Sequence, residues 1–264
     1  MNNNFSSQWQ WQETEKGSYL TCKLLRDWQH GFFSSHFQGQ PPEILVKYLH
    51  PSASSYRVKQ IHSDVVVSTD DIDSVKNNTN LVEGDGIITK KPLQSVWAAS
   101  ADCTPVLIAD RSTGKVTAIH SGWRGTASKI VPKVINLLKS QGSKKENLLF
   151  ALGPAIHGKV YQVDQAVATT VLKTVIPEDL EASLILEKGY QLSNEPILPD
   201  TEENKVKLNV TQVINLQIQQ ENISPEQITI APYCTYQNPE YFFSYRRTKE
   251  KNVQWSGIVS LFNS

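Results

Sequence analysis

The stretch Val116-Thr117-Ala118-Ile119-His120-Ser121-Gly122-Trp123-Arg124-Gly125-Thr126 opens on β-branched and small apolar residues and then changes character. Residues 116–120 have the composition of a buried strand, and Gly122 and Gly125 break the pattern immediately after it. Just downstream, Ile130, Val131, Val134, Ile135 and Leu138 recur at the spacing of one helical face. Pro132 must sit in the first turn of that helix or kink it. A strand passing through a glycine turn into an amphipathic helix predicts a mixed α/β chain.

Working outward, short apolar runs bounded by turn residues predict further strands at 57–61, 65–68, 86–89, 96–99, 106–109, 148–152 and 228–231. Helical periodicity is expected over 163–175 and 208–219. Ser224-Pro225-Glu226-Gln227 has the serine cap, early proline and early acid of a short helical turn before the 228 strand. Three stretches look like loops: 38–55 with Pro41-Pro42 and several serines, the acidic then Asn-rich 70–80, and the polar 181–204, which looks like a surface insertion. Strands outnumber helices without strict alternation, which argues against a parallel doubly wound sheet. No period of 20 to 50 residues and no Pro/Gly/Ser-rich linker divides the chain. One domain over residues 1–264 is expected.

Composition narrows the function. The 264 residues are 39% hydrophobic and 20% charged, as in ordinary globular proteins rather than disordered or fibrous ones. Lys+Arg and Asp+Glu both number 26. A zero net charge lacks the basic excess of chains that bind nucleic acid or anionic membranes. No apolar run reaches the length of a membrane helix, and Met1–Ser6 has no secretory character. Three widely separated cysteines, Cys22, Cys103 and Cys234, fit reduced thiols and a cytoplasmic location.

Six histidines and a single methionine, Met1, cannot furnish the ligand set of a blue multicopper oxidase. A smaller set can be drawn from strand ends. His62 comes after the 57–61 run, Cys103 after 96–99, and His120 ends 116–120. Two imidazoles and a thiolate suit a tetrahedral zinc with one open position, although their spacing matches no short zinc-finger pattern. The same residues also read as a buried cysteine with two hydrogen-bonded histidines, or as a thiolate–imidazole pair of a cysteine hydrolase. Asp102 is a candidate orienting or proton-transfer group, or a turn aspartate.

The turn from Gly122 to Gly125 offers backbone N–H groups to an anion, and Arg124 could add a forked contact to phosphate or carboxylate. A packed tryptophan and a surface arginine on an ordinary turn fit equally. Tyr241-Phe242-Phe243-Ser244-Tyr245-Arg246-Arg247 could stack a purine and hold phosphate, or form an edge strand with alternating aromatics. Cys234 is expected to be a buried small hydrophobe and His157 a surface residue.

Taken together, several motifs resemble the YfiH-like laccase-domain family, also described as polyphenol oxidase or purine nucleoside phosphorylase. They are, in order, Gly31-Phe32-Phe33-Ser34, Lys59-Gln60-Ile61-His62-Ser63, Gly84-Asp85-Gly86-Ile87-Ile88-Thr89 and Ala101-Asp102-Cys103-Thr104-Pro105-Val106. Then come Ala118 to Thr126, Gly153-Pro154-Ala155-Ile156, Cys234-Thr235-Tyr236 and Phe242 to Arg247. The match runs over about residues 31–247 and departs from the family pattern at Ser35–Gly39 and Gln254–Gly257.

The resemblance implies a single α/β domain with mixed β-sheets sandwiched between helices. It implies a metal centre on His62, Cys103 and His120, usually zinc and alternatively copper, with Gln60 and Asp102 behind the ligands. The implied partners are phosphate and purine nucleosides: adenosine, inosine, guanosine and methylthioadenosine. Adenosine deamination and copper-dependent phenol oxidation are implied as further activities. Gly122, Arg124, Gly125, Arg246 and Arg247 are the expected phosphate and substrate contacts.

Overall fold

A computed structural model of the chain describes residues 8–75, 80–177 and 179–261. In chain order its strands are β1 (Trp9–Glu13), β2 (Ser18–Cys22), β3 (His30–Phe33), β4 (Ser54–Tyr56), β5 (Val66–Ser68), β6 (Gly86–Ile88), β7 (Gln94–Ser100) and β8 (Thr104–Asp110). They continue as β9 (Val116–Ser121), β10 (Leu148–Leu152), β11 (Gln162–Asp164), β12 (Ile197–Pro199), β13 (Lys205–Leu208), β14 (Ile228–Ile230) and β15 (Gln254–Val259). The helices are α1 (Pro42–Leu49), α2 (Thr69–Ser74), α3 (Trp123–Ala127), α4 (Ile130–Ser140), α5 (Gln165–Leu172), α6 (Ala182–Gln191), α7 (Val210–Gln220) and α8 (Tyr245–Thr248).

Two mixed six-stranded sheets stack face to face, ordered β1-β2-β3-β15-β7-β4 and β14-β10-β8-β9-β6-β5. A small antiparallel sheet, β11-β13-β12, stands beside the second. The period of two along each strand builds the layers. In β8, Leu107 and Ala109 face the first sheet, where Leu20, Val96, Ala98 and Ile258 meet them. Val106 and Ile108 face the other way, against Ile130, Val134 and Ile135 of α4 and Val213 and Ile214 of α7. On the outer face of the first sheet, Phe33, Trp97 and Val259 pack against Leu45 and Val46 of α1. The expected mixed sheets between helices are present.

All five apolar positions expected on the α4 face are buried, and Pro132 lies in its first turn. The 224–227 turn carries a complete capping box. Other expectations are corrected. Residues 57–61 are not a strand; they make a single bridge, Lys59 to Glu83, while β4 lies just upstream. The 38–55 loop contains α1, because Pro42 at a helix start is compatible with helix and buries together with Leu45 and Val46. The 70–80 loop begins with α2, closed by a Ser68–Asp71 capping box, and residues 76–79 lie outside the described residues. So does Met1–Ser6. The 181–204 stretch is no mere insertion, since Ile185, Leu186 and Ile197 join the main core. Among the described residues no helix is long and apolar enough to cross a membrane.

The connection between β7 and β8 passes from one large sheet to the other, and Cys103 sits on it. β8 pairs with β9 so that Pro105 lies opposite His120. β6 pairs with β9 on its other side, which brings Asp85 alongside His120.

Candidate metal centre

The ligand atoms of His62, Cys103 and His120 lie within 4.8 Å of one another. Four ligands at ordinary zinc distances are about 3.4–3.8 Å apart on a tetrahedron, so a small contraction would close the set on an ion. The two imidazole rings stand nearly perpendicular, at 88° with centroids 4.7 Å apart. His120 is buried, Cys103 is partly covered and His62 is exposed, so the cluster opens to solvent on its His62 side. A thiolate and two imidazoles with an uncovered side suit zinc in a catalytic arrangement, and copper accepts the same donors.

Asp85 organises this cluster from beneath. Its carboxylate is 2.8 Å from His120 Nδ1, which leaves Nε2 for the centre. It also accepts from the backbone N–H groups of Ile61, His62 and Ser63 and from the Ser63 hydroxyl. Those bonds hold the loop on which His62 has a left-handed φ of 58°. Burial works to raise the Asp85 pKa, but the His120 and Ser63 hydrogen bonds outweigh it and keep the group ionised below its usual range. Burial likewise opposes ionisation of Cys103, but the His120 charge and hydrogen bonds from His120 and His62 outweigh it and lower its pKa. Burial would lower His120, yet the Cys103 and Asp85 charges and hydrogen bonds raise it.

Gly122 forms the floor. A Cβ placed there would lie 2.6 Å from Cys103 Sγ and 3.7 Å from His62 Cδ2, so a side chain would displace the thiolate. At Gly125 a Cβ would lie 3.2 Å from the Ser63 carbonyl, on the loop that carries His62. Both glycines therefore admit close approach of the ligand loops. The expected anion cradle on this turn has only the five-residue α3 behind it.

Gln60 donates to the Ala99 carbonyl at 2.8 Å and accepts from the Ala99 N–H at 2.7 Å. It thereby fastens the His62 segment to β7, without touching the ligands' donor atoms. Asp102, at a left-handed φ of 93°, accepts from the Thr235 hydroxyl and the Arg246 N–H, both at 2.7 Å. Its own carbonyl accepts from Ile156 N–H. The residue beside Cys103 thus joins three distant segments to the centre.

The arginines divide. Arg124 is exposed, has its guanidinium carbon 4.3 Å over the Trp123 ring, and makes no side-chain hydrogen bond to the described residues. Arg246 donates to the Gln162 carbonyl and lies over Tyr161. Arg247 donates to the carbonyls of Thr235, Tyr236 and Phe242, which engages three of its five N–H donors. The 241–247 stretch is not an edge strand. It turns into α8, and Tyr241 stacks on Trp11 with centroids 4.7 Å apart. Cys234 is buried as expected, whereas His157 is half-buried rather than a surface residue.

Sequence reasoning gave Asp85 no role, although an acid between two glycines ahead of an apolar strand was a signal that it could be buried.

A four-layer α/β fold whose sheet crossing carries one open His-Cys-His cluster defines a class, and comparison with known proteins supplies the family. Residues 42–260 match the family described as multi-copper polyphenol oxidoreductase laccase, and the chain belongs to it. Among its relatives, a Synechocystis protein named purine nucleoside phosphorylase is 46% identical over 258 residues, covering 96% of this chain and 97% of that one. A Clostridium acetobutylicum protein of the same name is 32% identical over 192 residues, 72% of this chain and 70% of that one. The crystal structure of YlmD from Geobacillus stearothermophilus superposes with a TM-score of 0.78 at 21% identity, covering 95% of this chain and 98% of that one. That of YfiH from Bacillus licheniformis gives 0.77 at 22% identity, with 95% and 99% covered. Despite the family's multi-copper description, the described residues offer one His/Cys ligand cluster.

Proposed function

We propose that this chain is a zinc-dependent purine nucleoside phosphorylase that acts in the cytoplasm on adenosine, inosine, guanosine and methylthioadenosine and also deaminates adenosine. The observation that carries the reading is the open cluster of His62, Cys103 and His120 on its Gly122 floor, followed two residues later by Arg124, whose guanidinium makes no hydrogen bond to the described residues. The names of its relatives point the same way.

In phosphorolysis the bond between the purine nitrogen and ribose C1′ breaks, and the purine leaves with the electron pair and takes up a proton. A phosphate oxygen forms the new bond to C1′, giving ribose 1-phosphate. Zinc held by His62, Cys103 and His120 supplies Lewis acidity when bound. The chain's own residues bind and orient the reactants. Arg124 offers phosphate a forked, charge-assisted contact that no described residue already occupies. Asp85 keeps His120 Nε2 and the His62 loop aimed at one point. Such preorganised cations act where negative charge is carried into the transition state.

One observation favours a second reading. Asp85, His120 and Cys103 run in series as in a cysteine hydrolase. The added hydrogen bond from His62 to Cys103 favours the metal centre, because a dyad needs only one imidazole. A nucleoside panel with and without phosphate, read for free base, ribose 1-phosphate and inosine, tests the proposal. Base release that requires phosphate supports it. Release indifferent to phosphate, from protein without bound metal, supports the hydrolase.

A further inference from the structure

Gly122 has no side chain with which to fix the floor it makes. It caps α3 without a side-chain hydrogen bond, and five-residue α3 is too short to stand on its own backbone bonds. The hold comes from Thr126. The Gly122 carbonyl accepts from both the backbone N–H and the hydroxyl of Thr126, each at 2.9 Å, so one residue fills both of its lone pairs. The Ser121 hydroxyl lies 2.9 Å from the same Thr126 oxygen. A threonine hydroxyl has one proton, and here it goes to Gly122, so Ser121 is the donor in that contact. Ser121 and Gly122 directly follow the ligand His120, and both are thereby tied to one hydroxyl.

Thr126 is held in turn from distant elements. Nε2 of Gln217, on α7, donates to the Thr126 carbonyl at 2.9 Å and to the Thr174 hydroxyl at 2.8 Å. The Thr174 hydroxyl donates to the Val171 carbonyl of α5. Ser121 and Thr126 are fully buried and Gln217 is 2% exposed, so water cannot stand in for a lost partner without opening the core. Gln217 Oε1 is buried without a partner, a cost that an apolar side chain of the same size would avoid.

We propose that Thr126 and Gln217 are positioning residues for the metal centre: the Thr126 hydroxyl fixes the Gly122 floor against Cys103, and Gln217 locks Thr126 to α5 and α7. The link to the ligands is steric on one side and covalent on the other. A Cβ on Gly122 would stand 2.6 Å from Cys103 Sγ, so the room left to the thiolate is set by where the Gly122 backbone lies. On the other side, Ser121 is bonded to His120 itself. This role rests on the zinc-centre reading of the cluster and is indifferent to whether phosphate reacts there.

Cobalt(II) exchanged into the full-length protein reports the geometry, because the thiolate-to-cobalt and d–d absorption bands follow ligand placement rather than global stability. Chelator competition gives zinc affinity alongside it. Thr126→Val keeps the volume and removes the hydroxyl; it should weaken zinc binding about 10-fold and alter the cobalt spectrum. Thr126→Ser restores the hydroxyl and should stay within about twofold of wild type. Gln217→Met should move both readouts in the same direction as Thr126→Val, by about threefold in affinity. Thr89→Val controls for lost stability: Thr89 is buried, and its hydroxyl bonds the Val116 N–H and carbonyl at the opposite end of β9 from His120. It should melt earlier yet keep wild-type affinity and spectrum. Wild-type affinity and spectrum in Thr126→Val, or an equal loss in Thr89→Val, would overturn the proposal. Should Thr126→Val not fold, Gln217→Met decides it by the same criteria. A wild-type protein with no thiolate–cobalt band would overturn the metal centre itself. The expected pattern in a protein that cleaves no nucleoside would remove the proposed function and leave the positioning role standing.

Discussion

Asp85 Oδ1 lies 2.8 Å from His120 Nδ1, and the same carboxylate accepts three backbone N–H groups from the loop that carries His62. One buried acid thus sets the direction of two of the three candidate ligands. Asp85→Asn should lower zinc affinity about 10- to 100-fold, the usual consequence of losing a carboxylate behind a ligating histidine. Competition with a chromogenic chelator measures it; unchanged affinity would show that the loop and ring hold themselves.

Removing a ligand should be more severe. His62→Ala, Cys103→Ala and His120→Ala should each abolish turnover and lower metal occupancy, because no fourth His, Cys or acid completes the cluster among the described residues. Elemental analysis of protein purified without added metal provides the readout. A Cys103→Ala protein with full zinc and full activity would remove the thiolate from the site.

Much of this cluster was legible in the sequence, and the reason is topological. Cys103 immediately precedes β8 and His120 lies near the end of β9, strands whose apolar runs announce themselves, and antiparallel pairing brings the start of one beside the end of the other. His62 was legible as a residue but not in its setting. The 57–61 run has strand-like residues yet finds only one bridging partner, so it ends as a held loop. Asp85 acts through His120, 35 residues away, and a lone acid between glycines reads locally as a turn. In α1, Pro41-Pro42 obscured the helix, because a proline that begins a helix and one that prevents it look alike without the packing of Leu45 and Val46.

Gly122→Ala should cost metal occupancy more than stability. The added Cβ would stand 2.6 Å from Cys103 Sγ, and the thiolate or the turn must move. Gly142→Ala makes the contrasting control: it has open space around it but a φ of +94°, so it should lose about 1 kcal/mol of stability and keep its zinc. Equal zinc in both variants would contradict the assigned role of Gly122.

Acid sensitivity should trace in part to His30. This buried ring accepts from Cys22 N–H at Nε2 (2.9 Å) and has Nδ1 2.8 Å from the Trp28 carbonyl, a pattern that requires the neutral form. Burial lowers its pKa to about 4, against the Trp28 hydrogen bond that would raise it. With the folded value below the unfolded one near 6.5, the unfolded chain binds the extra proton, so this stability is complete above about pH 6.5 and is lost as pH falls towards about 4. Between pH 7 and pH 5 the loss should be about 2 kcal/mol. Urea unfolding of wild type and His30→Gln at both pH values measures it as a double difference. Equal pH dependence in the two proteins would mean that His30 is not the sensor.

Arg124→Ala should reduce phosphorolysis about 10- to 100-fold, for the loss of one charge-assisted contact, and reduce adenosine deamination far less. Arg124→Lys should recover part of the loss, since the charge remains but the fork does not. Parallel assays on one adenosine stock decide it; equal loss of both reactions would remove the arginine from the phosphate site.

The central claim is that the His62–Cys103–His120 centre joins phosphate to the ribose of a purine nucleoside, and phosphorus NMR of the zinc-loaded protein with adenosine and phosphate observes that bond directly. The account predicts a ribose 1-phosphate signal that grows in step with released adenine for wild type and is absent for Cys103→Ala. Adenine released without loss of inorganic phosphate, or a Cys103→Ala protein that forms ribose 1-phosphate at the wild-type rate, would contradict it.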